Sequence, residues 1–345
     1  AVWGLPTWDS SGWESRLPGI RSNWTLRAGL QARRFLKSMQ RERRLEALFI
    51  HTQVPAVLAQ DWMRRIPTIV SLDATPQQYD SLGDFYQHQA GPDWLEKLKW
   101  RLNRDCFQKA RHLVTWSEWA KQGLVEEYQV PPEKVTVIPP GVDVSAWKPI
   151  MADQKNGVHA LVRILFVGGD LQRKGGLLLL EAFRSLQQRL AAAGGPAVEL
   201  HLVTRDQLDA EPGVFVHHGM QPNSPQLKQL YFQSDIFALP TLGDCLPMVL
   251  SEAGAAGLPA LTTRVAAIPE IVAHEKTGLL VPPGEAAPLA EGLWRLVTSP
   301  GMRQEMGEAA VRRVAQGFDA RANAQRLLEM LKQLAAENRP EQPGK

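Results

Sequence analysis

Residues 239–269, LPTLGDCLPMVLSEAGAAGLPALTTRVAAIP, decide the fold of this chain. The apolar run Asp235–Thr241 leads into this stretch and has the length and residue types of a buried parallel strand, and Pro247 then marks a helix start. Helix formers continue to Ala256, a Gly-Leu-Pro turn ends the helix, and Ala260–Thr263 begins another strand. The pattern predicts an α/β protein with a doubly wound parallel sheet.

Two acids lie within this strand-loop-helix-strand unit. Asp244 falls in the loop before the helix, and Glu252 falls on the helix, at most about 12 Å further along its axis. That separation is about the span from the ribose to the sugar ring of a folded-back nucleotide sugar. The alternative interpretation is that the loop and the capped helix serve only the fold, as at any strand end of such a sheet.

The composition excludes several classes of protein. With 345 residues, 44% of them hydrophobic, the chain is long enough for two domains with separate cores. A net charge of +3, from 39 basic and 36 acidic residues, argues against a nucleic-acid partner. The two cysteines form no CxxC and the histidines form no HExxH, so we expect neither a disulfide nor a bound metal.

The sequence also lacks the usual membrane signals. No run approaches the roughly 20 apolar residues of a membrane span, and the first residues do not resemble a signal peptide. We therefore expect a cytoplasmic protein in a reducing compartment, either soluble or peripheral on the inner face of the membrane. Residues 1–20 read as loop without a first strand or an initiator Met, and we expect the sequence to be truncated at its N-terminus.

A long basic helix is predicted at Ser22–Arg44. Its cations, opposed by Glu42, are Arg27, Arg33, Arg34, Lys37, Arg41, Arg43 and Arg44. Such a face could make a weak contact with an anionic membrane or meet an acidic acceptor. A solvated helix face is the alternative interpretation.

The first domain is predicted over residues 1–150 and contains two apolar runs, Leu45–His51 and Thr68–Leu72, separated by a predicted helix. They read as neighbouring parallel strands of one βαβ unit, and ligands of such sheets bind beyond the carboxyl ends of the strands. The polar residues that follow those ends are His51, Thr52, Asp73 and Thr75. His51 could also be a strand end without function.

The second domain is predicted over residues 158–335, after a polar linker at Ile150–Val158. Its first strand is followed by a loop that starts with Gly168 and Gly169 and contains two cations, Arg173 and Lys174. Glycines at a strand-to-helix turn let the main chain approach an anion, and the helix N-terminus favours negative charge. Glycines that serve only a tight turn would not need the adjacent basic residues.

Several of these motifs, in their order along the chain, resemble the retaining, GT-B-fold glycosyltransferases of family 4. The segments that carry the resemblance are PEKVTVIPPGVD (132–143), GGDLQRKGG (168–176), VFVHHGM (214–220), the acid pair with its GLP turn, IPEIV (268–272) and TGLLVPP (277–283). The resemblance runs from about Leu45 to Leu334. It implies two facing Rossmann-like domains with a cleft between them.

The resemblance also implies a reaction: transfer of a sugar from a UDP- or GDP-sugar to an unknown acceptor, with retention of configuration and without a metal or other cofactor. The residues that it places on the donor are Gly168, Gly169, Leu246, Pro247, Glu252 on the ribose, and His218 near the base. The residues that it places at the chemistry are Asp244, Lys174 and, at the position of a family His, Asp73. Arg173 joins them because of its own charge in the glycine-rich loop. His51, Thr52 and Thr75 are then expected on the acceptor side.

The sequence departs from the family pattern at three of these positions. Asp244 replaces the usual Glu, Asp73 replaces a His that touches the donor sugar, and Gly169 replaces an Arg that touches the diphosphate. We therefore expect Arg173 to supply the missing guanidinium, because the leaving diphosphate needs positive charge.

Two other readings stay open. A relative that binds a nucleotide sugar without turnover would explain the three departures. An NAD-dependent dehydrogenase would need GxGxxG, whereas the chain has GGDLQR from Gly168.

Overall fold

The computed structural model describes residues 2, 4–7, 20, 23–82, 91–147 and 161–338. The predicted linker, most of the predicted N-terminal loop and the tail beyond Asn338 lie outside the described residues. The described chain divides into two compact units. The first contains residues up to Ser81, 91–138 and 324–338, and the second contains Leu82, 139–147 and 161–323.

The first unit is built on a four-stranded sheet with the order β1-β2-β3-β4. Its elements in chain order are α1 (Trp24–Glu42), β1 (Leu48–His51), α2 (Gln53–Ala56), α3 (Gln60–Met63), β2 (Thr68–Leu72), α4 (Pro76–Ser81), α5 (Asp93–Lys109), β3 (His112–Thr115), α6 (Glu118–Tyr128) and β4 (Val135–Val137). All neighbouring strands are parallel, and His51 pairs with Ser71, so β1 and β2 end at the same edge of the sheet.

The second unit is built on a six-stranded parallel sheet with the order β10-β9-β8-β5-β6-β7. Its elements are β5 (Leu161–Val167), α7 (Gly176–Ala193), β6 (Ala197–Val203), β7 (Val214–His217), α8 (Pro225–Gln233), β8 (Ile236–Leu239), α9 (Met248–Ala255), β9 (Ala260–Thr263), α10 (Ile268–Ile271), β10 (Gly278–Val281), α11 (Ala286–Thr298), α12 (Pro300–Gly317) and α13 (Ala320–Glu337). The chain winds outward from β5 in both directions, as the doubly wound pattern predicts. From residue 324 onward, α13 belongs to the first unit.

Both sheets are covered on their faces by apolar side chains, which explains why their strands are apolar without alternation. In the first unit, Val70 and Leu72 of β2 pack with Phe107 of α5 on one face. On the other face Ile69 packs with Leu334 of α13. In the second unit every residue of β8, β9 and β10 is buried.

The stretch between β1 and β2 differs from its prediction. A single helix over Pro55–Arg65 was expected, but the structure has the two short helices α2 and α3. The break comes where the Ala59 N–H donates to Ala56 O, three residues back, at 2.8 Å. This tight turn ends α2, and Ala59 then becomes the N-cap of α3.

The basic face predicted for α1 needs a correction. Arg27 is buried, with 4% of its surface exposed, so it does not belong to a solvent-facing cationic stripe. Arg33 is half-buried and pairs with Asp61 while its Nη1 donates to Leu58 O at 2.6 Å. The cations that stay exposed are Arg34, Lys37, Arg41, Arg43 and Arg44. Packing of α1 against its own unit therefore leaves fewer cations on the exposed face of the helix than the sequence predicts. No described helix combines the length and the apolar character needed to cross a membrane.

Candidate functional site

Two loops of the second unit lie against each other at the carboxyl ends of the paired strands β5 and β8. The glycine-rich loop, Gly168–Gly175, joins β5 to α7, and the acidic loop, Pro240–Pro247, joins β8 to α9. Gly175 has a φ of +74°, and a Cβ on it would lie 1.9 Å from Pro240 O, so only glycine fits. The close approach of the two main chains fixes the geometry of both loops.

Arg173 ties the glycine-rich loop to the acidic loop. Its carbonyl oxygen accepts from Leu242 N at 2.9 Å, and its Nη1 donates to Gly243 O at 2.9 Å. Its Nε also lies 3.5 Å from a carboxylate oxygen of Asp170 within the same loop. The guanidinium that was expected to serve the diphosphate thus donates to the protein in this structure, and its predicted role on a ligand stays a prediction.

Lys174 and Asp244 form an ion pair where the two loops meet. Their side chains are only 16% and 13% exposed, so the charges are largely removed from water and each depends on the other. The Lys174 stem passes Gly168, where an added Cβ would lie 3.1 Å from the Lys174 Cβ. The sequence predicted both residues as site residues, and the structure brings them into direct contact.

Glu252 lies on α9, as predicted, and is held by a tyrosine from α8. The Tyr231 hydroxyl donates to Glu252 Oε2 at 2.9 Å. Burial raises the pKa of Glu252 above its usual 4.5, whereas the Tyr231 hydrogen bond and the charge of Lys228 act in the opposite direction. Tyr231 is itself fully buried, edge-on to Trp147 with ring centroids 5.0 Å apart. The carboxylate is therefore oriented by a rigid aromatic cluster.

The remaining candidates of the second unit lie in or beside the same strand ends and make contacts within the protein. Leu246 is buried, and Pro247 is the N-cap of α9, a helix that no described side chain caps. His218 follows β7 directly, and its Nδ1 donates to Thr204 O at 3.0 Å. Gly168 N donates to Val203 O at 2.9 Å, which continues the pairing of β5 with β6 into the loop.

In the first unit, two of the predicted residues have aromatic partners at the carboxyl ends of β1–β3. The His51 ring stacks on Trp116, with centroids 5.1 Å apart and planes 6° from parallel. The Tyr79 hydroxyl donates to Asp73 Oδ2 at 2.5 Å. Burial lowers the pKa of His51, while the negative charge of Asp73 raises it. The pair of β1 and β2 thus brings His51 and Asp73 into one electrostatic environment.

The two threonines predicted on the acceptor side have structural partners. Thr52 caps α2 by accepting from Val54 N at 3.2 Å. Thr75 is fully buried, its hydroxyl donates to Glu127, and it accepts from Gln78 N at 3.1 Å. Burial raises the pKa of Glu127, and the Thr75 hydrogen bond opposes that rise. The hydroxyl of Thr75 thus both donates and accepts within its own unit, and its predicted role on the acceptor side stays a prediction.

Sequence reasoning missed several residues that contact the predicted ones, among them Tyr231 at Glu252, Trp116 at His51 and Arg205 at Gly169. Trp116 directly follows β3, and Arg205 is the second residue after β6, so a position just beyond a strand of a parallel sheet is a signal that could have found them. Tyr231 has no such signal, because its contact depends on how α8 packs. Among the described residues, no group of three or more His, Cys, Asp or Glu side chains is placed to hold a metal ion.

Comparisons with known proteins identify the family of this chain. Residues 9–146 match the family model described as Glycosyltransferase Family 4, and residues 162–299 match the model described as Glycosyl transferases group 1. A D-inositol 3-phosphate glycosyltransferase of Pseudarthrobacter chlorophenolicus is 28% identical over 218 residues, which are 58% of this chain and 50% of that protein. The chain thus spans about half the length of the curated relatives it matches.

Solved structures show the same fold at low sequence identity. Sucrose-phosphate synthase from Thermosynechococcus elongatus gives a TM-score of 0.69 at 18% identity, over 90% of this chain and 79% of that one. HepE of Anabaena in complex with UDP-glucose gives a TM-score of 0.66 at 18% identity, over 88% of this chain and 82% of that one. With two parallel-sheet α/β units, the glycine-rich loop and the acid pair, the chain belongs to glycosyltransferase family 4 and has the GT-B fold.

Proposed function

We propose that this chain transfers a glycosyl group from a nucleoside-diphosphate sugar to an acceptor, with retention of anomeric configuration and without a metal ion. The observation that carries the proposal is the junction of the glycine-rich and acidic loops at Lys174 and Asp244. It places a cation at the start of α7 and a carboxylate at the start of α9, within one contact of each other. A nucleotide sugar needs this pair of charges, because its diphosphate is anionic and its sugar carries hydroxyl donors.

The diphosphate is proposed to bind at the glycine-rich loop. Gly175 is the N-cap of α7, and no described side chain caps that helix, so its first N–H groups can donate to phosphate oxygens. Lys174, with Arg173 beside it, supplies positive charge as the C–O bond to the leaving phosphate breaks. In the absence of a ligand Asp244 neutralises Lys174, and a bound diphosphate would take over that task.

The ribose, the base and the transferred sugar of the donor are proposed to bind at the two acids and at the end of β7. Glu252 accepts hydrogen bonds from the two ribose hydroxyls, and Tyr231 keeps its carboxylate in the accepting orientation. Asp244 accepts from hydroxyls of the transferred sugar. Leu246, Pro247 and His218 border the nucleotide. No metal is required in this scheme, since fixed cations and the helix N-terminus carry the charge of the leaving group.

The acceptor is proposed to bind at the carboxyl ends of β1–β3 in the first unit. The ring of Trp116, stacked on His51, suits the apolar face of a sugar or cyclitol, and Asp73 suits its hydroxyls. Retention follows if the acceptor hydroxyl attacks from the side of the leaving group, because the departing phosphate oxygen can then take its proton. The family supports this course, and the stereochemistry of the product tests it.

The test is a panel of UDP- and GDP-sugars with release of the nucleoside diphosphate as the readout. Phosphorylated polyols come first among the acceptors, because curated relatives are named D-inositol 3-phosphate glycosyltransferase. We expect one donor to give acceptor-dependent release that survives EDTA, and a product whose anomeric coupling constant in NMR matches that of the donor.

Binding without acceptor-dependent release would instead identify a nucleotide-sugar-binding relative that does not turn over. The Asp73–Tyr79 hydrogen bond favours that second candidate, because it ties up one oxygen of an acid at a position where the family usually has His. An inverted product would overturn retention, and loss of activity in EDTA would overturn metal independence.

We also propose a weak, salt-sensitive contact of α1 with anionic membranes. Exposed cations of this helix include Arg34, Lys37 and Arg41, whereas Arg27 is buried and cannot contribute. Each exposed cation near an anionic surface contributes about 1 kcal/mol at low salt. Co-sedimentation with phosphatidylglycerol vesicles is expected at low salt and should vanish at moderate salt or after Lys37→Gln with Arg41→Gln. No sedimentation at low salt contradicts the contact.

A further inference from the structure

Arg205 occupies a position that the strand register itself assigns. The parallel pairing of β5 with β6 ends at Val167 and Val203. Continued two residues further, the same register places Arg205 beside Gly169, the second glycine of the glycine-rich loop. The structure has this arrangement, since Arg205 Nε donates to Gly169 O at 3.3 Å. Arg205 therefore stands at the edge of the loop that is proposed to bind the diphosphate.

The absence of a side chain at Gly169 makes room for the Arg205 guanidinium. A Cβ built on Gly169 would lie 2.8 Å from Arg205 Nε and 3.0 Å from Nη2. The φ angle of Gly169 is not in the left-handed region, so the backbone does not require glycine at this position. The guanidinium thus fills the space that a side chain at 169 would start from.

The turn that carries Arg205 is also hydrogen-bonded to the glycine-rich loop through its next residue, Asp206. Asp206 Oδ2 accepts from Leu171 N at 2.7 Å, and Asp206 N donates to Thr204 Oγ1 at 3.2 Å. Arg205 itself is exposed, and within the described residues its only hydrogen bond is the one to Gly169 O. The residue has a positioned main chain and guanidinium donors that are not used by the protein.

Each of the two neighbouring glycines has the side chain of a basic residue beside it. The stem of Lys174 lies at Gly168, and the guanidinium of Arg205 lies at Gly169. Lys174 is a point charge, whereas a guanidinium presents a planar fork that matches two phosphate oxygens. An anion lying on the glycine-rich loop would meet both.

We infer that Arg205 is a diphosphate-binding residue of this enzyme and provides the guanidinium that binds the leaving group beside Lys174. This inference rests on the proposed function, since it assigns a further residue to the same donor site. The guanidinium that binds the diphosphate at Gly169 is then that of Arg205 and not that of Arg173, because the Arg173 guanidinium already donates to Gly243 O. Arg173 then stabilises the contact between the two loops.

The first experiment separates the diphosphate from the rest of the nucleotide. The affinities of UDP, UMP, GDP and GMP are measured by calorimetry for the unmodified protein and for Arg205→Ala. We expect Arg205→Ala to weaken binding of the preferred diphosphate by roughly 10- to 100-fold, because a charge-assisted bidentate hydrogen bond is lost. The monophosphate should weaken by less than about 3-fold. Arg312→Ala, an exposed arginine on α12 that pairs with Glu308 of its own helix, is the matched control and should change neither.

The second experiment uses the space at Gly169. Gly169→Arg alone should lower the affinity for the nucleoside diphosphate, because the new Cβ pushes the Arg205 guanidinium aside. Combined with Arg205→Ala it should restore affinity to within about 5-fold of the unmodified protein, so that two harmful changes together are nearly neutral. The same Gly169→Arg change should not restore Arg173→Ala. Thermal unfolding of each variant checks that the fold is retained.

Each outcome of these two experiments either supports or overturns the inference. If the unmodified protein binds neither UDP nor GDP, the proposed function and this inference both fail. If it binds a diphosphate and Arg205→Ala binds it equally well, or loses the monophosphate by the same factor, the inference fails while the proposed function stands. Rescue of Arg173→Ala, instead of Arg205→Ala, by Gly169→Arg would return the role to Arg173.

Discussion

The strand ends of the two units differ in the chemistry that they present. In the second unit, the loops after β5 and β8 carry the Lys174–Asp244 ion pair, with Arg205 at the neighbouring glycine. In the first unit, the ends of β1, β2 and β3 carry the His51–Trp116 stack and the hydrogen-bonded Asp73. Charge is concentrated at one set of strand ends, and aromatic surface at the other.

This difference fits the proposal that two sheets of the same design bind different ligands. Fixed cations beside a glycine turn suit a polyanion, because the main chain can approach it and the cations neutralise it. Stacked rings with a nearby carboxylate suit a flat hydroxylated molecule, which buries its apolar face and donates from its hydroxyls. A parallel sheet fixes where a ligand binds, and the few residues after each strand determine what it binds.

The largest effect is expected when the cation of Lys174, where the two loops meet, is removed. Lys174→Ala should lower kcat/KM by roughly 100-fold or more, because the leaving group loses a fixed charge. It should also destabilise the fold by about 3 kcal/mol, since it leaves the largely buried Asp244 carboxylate unpaired. Steady-state kinetics and urea unfolding measure the two effects.

The double variant Lys174→Met with Asp244→Asn serves as the control for that change. It removes both charges, so most of the lost stability should return while activity stays low. Recovery of activity together with stability would show that the ion pair serves the fold alone.

Glu252→Ala tests the ribose contact in the same unit. Loss of two charge-assisted hydrogen bonds should weaken the preferred nucleoside diphosphate by roughly 30-fold or more. Asp244→Asn, in contrast, should lower kcat more than it weakens the free nucleoside diphosphate, because Asp244 is assigned to the sugar. Calorimetry and initial rates measure both, and an equal loss of binding and turnover in the two variants would contradict the division of roles.

Tyr231→Phe sharpens the assignment through pH. Burial raises the pKa of Glu252 and the Tyr231 hydrogen bond lowers it, so removal of the hydroxyl should raise this pKa further. Only the ionised carboxylate accepts both ribose hydroxyls, so affinity falls as pH drops through the Glu252 pKa. In Tyr231→Phe this decline should begin at a higher pH, with a loss of about 5-fold at neutral pH. A pH profile of nucleotide affinity parallel to that of the unmodified protein would contradict it.

In the first unit, Trp116→Ala should act on the acceptor alone. We expect the acceptor KM to rise by about 5- to 10-fold, from the loss of one aromatic stacking contact, with the affinity for UDP or GDP unchanged. Trp116→Phe keeps an aromatic ring and should retain most of the effect of the tryptophan. Kinetics with varied acceptor measure this change, and an equal effect on both substrates would break the comparison between the units.

The smallest expected effect concerns the pKa of His51. Burial holds this pKa below 6.5, and Asp73 raises it, so Asp73→Asn should lower the pKa further. Because the folded-state pKa is depressed, His51 makes stability fall as pH drops from 6.5 through that value, and the fall extends to lower pH in the variant. NMR titration of the imidazole measures the shift. His112, whose pKa is lowered by burial and by Lys134 and Arg111, is the control and should titrate unchanged.

The sequence by itself determined the α/β class, the parallel strands and the positions of the two acids, Asp244 in the loop after β8 and Glu252 on the helix that follows. Short apolar runs without alternation that are bounded by turn residues favour strands buried on both faces, and Gly and Pro mark the ends of the helix that carries Glu252. These signals are local, so they could be read without knowing which elements pack together. The resemblance to family 4, whose motifs occur in order along the chain, added an expectation of the reaction.

The tertiary structure decided which side chains meet. The contacts of Lys174 with Asp244 and of Tyr231 with Glu252 join residues that are far apart along the chain, and their partners depend on how the elements pack. Arg27 was counted as an exposed cation, since composition cannot show which residues of α1 are buried. Arg205 followed from the register of β5 and β6 and from the missing side chain at Gly169. Residue types and periodicity can be read locally along the chain. The contacts between side chains cannot, because they depend on how elements that are distant in sequence pack together.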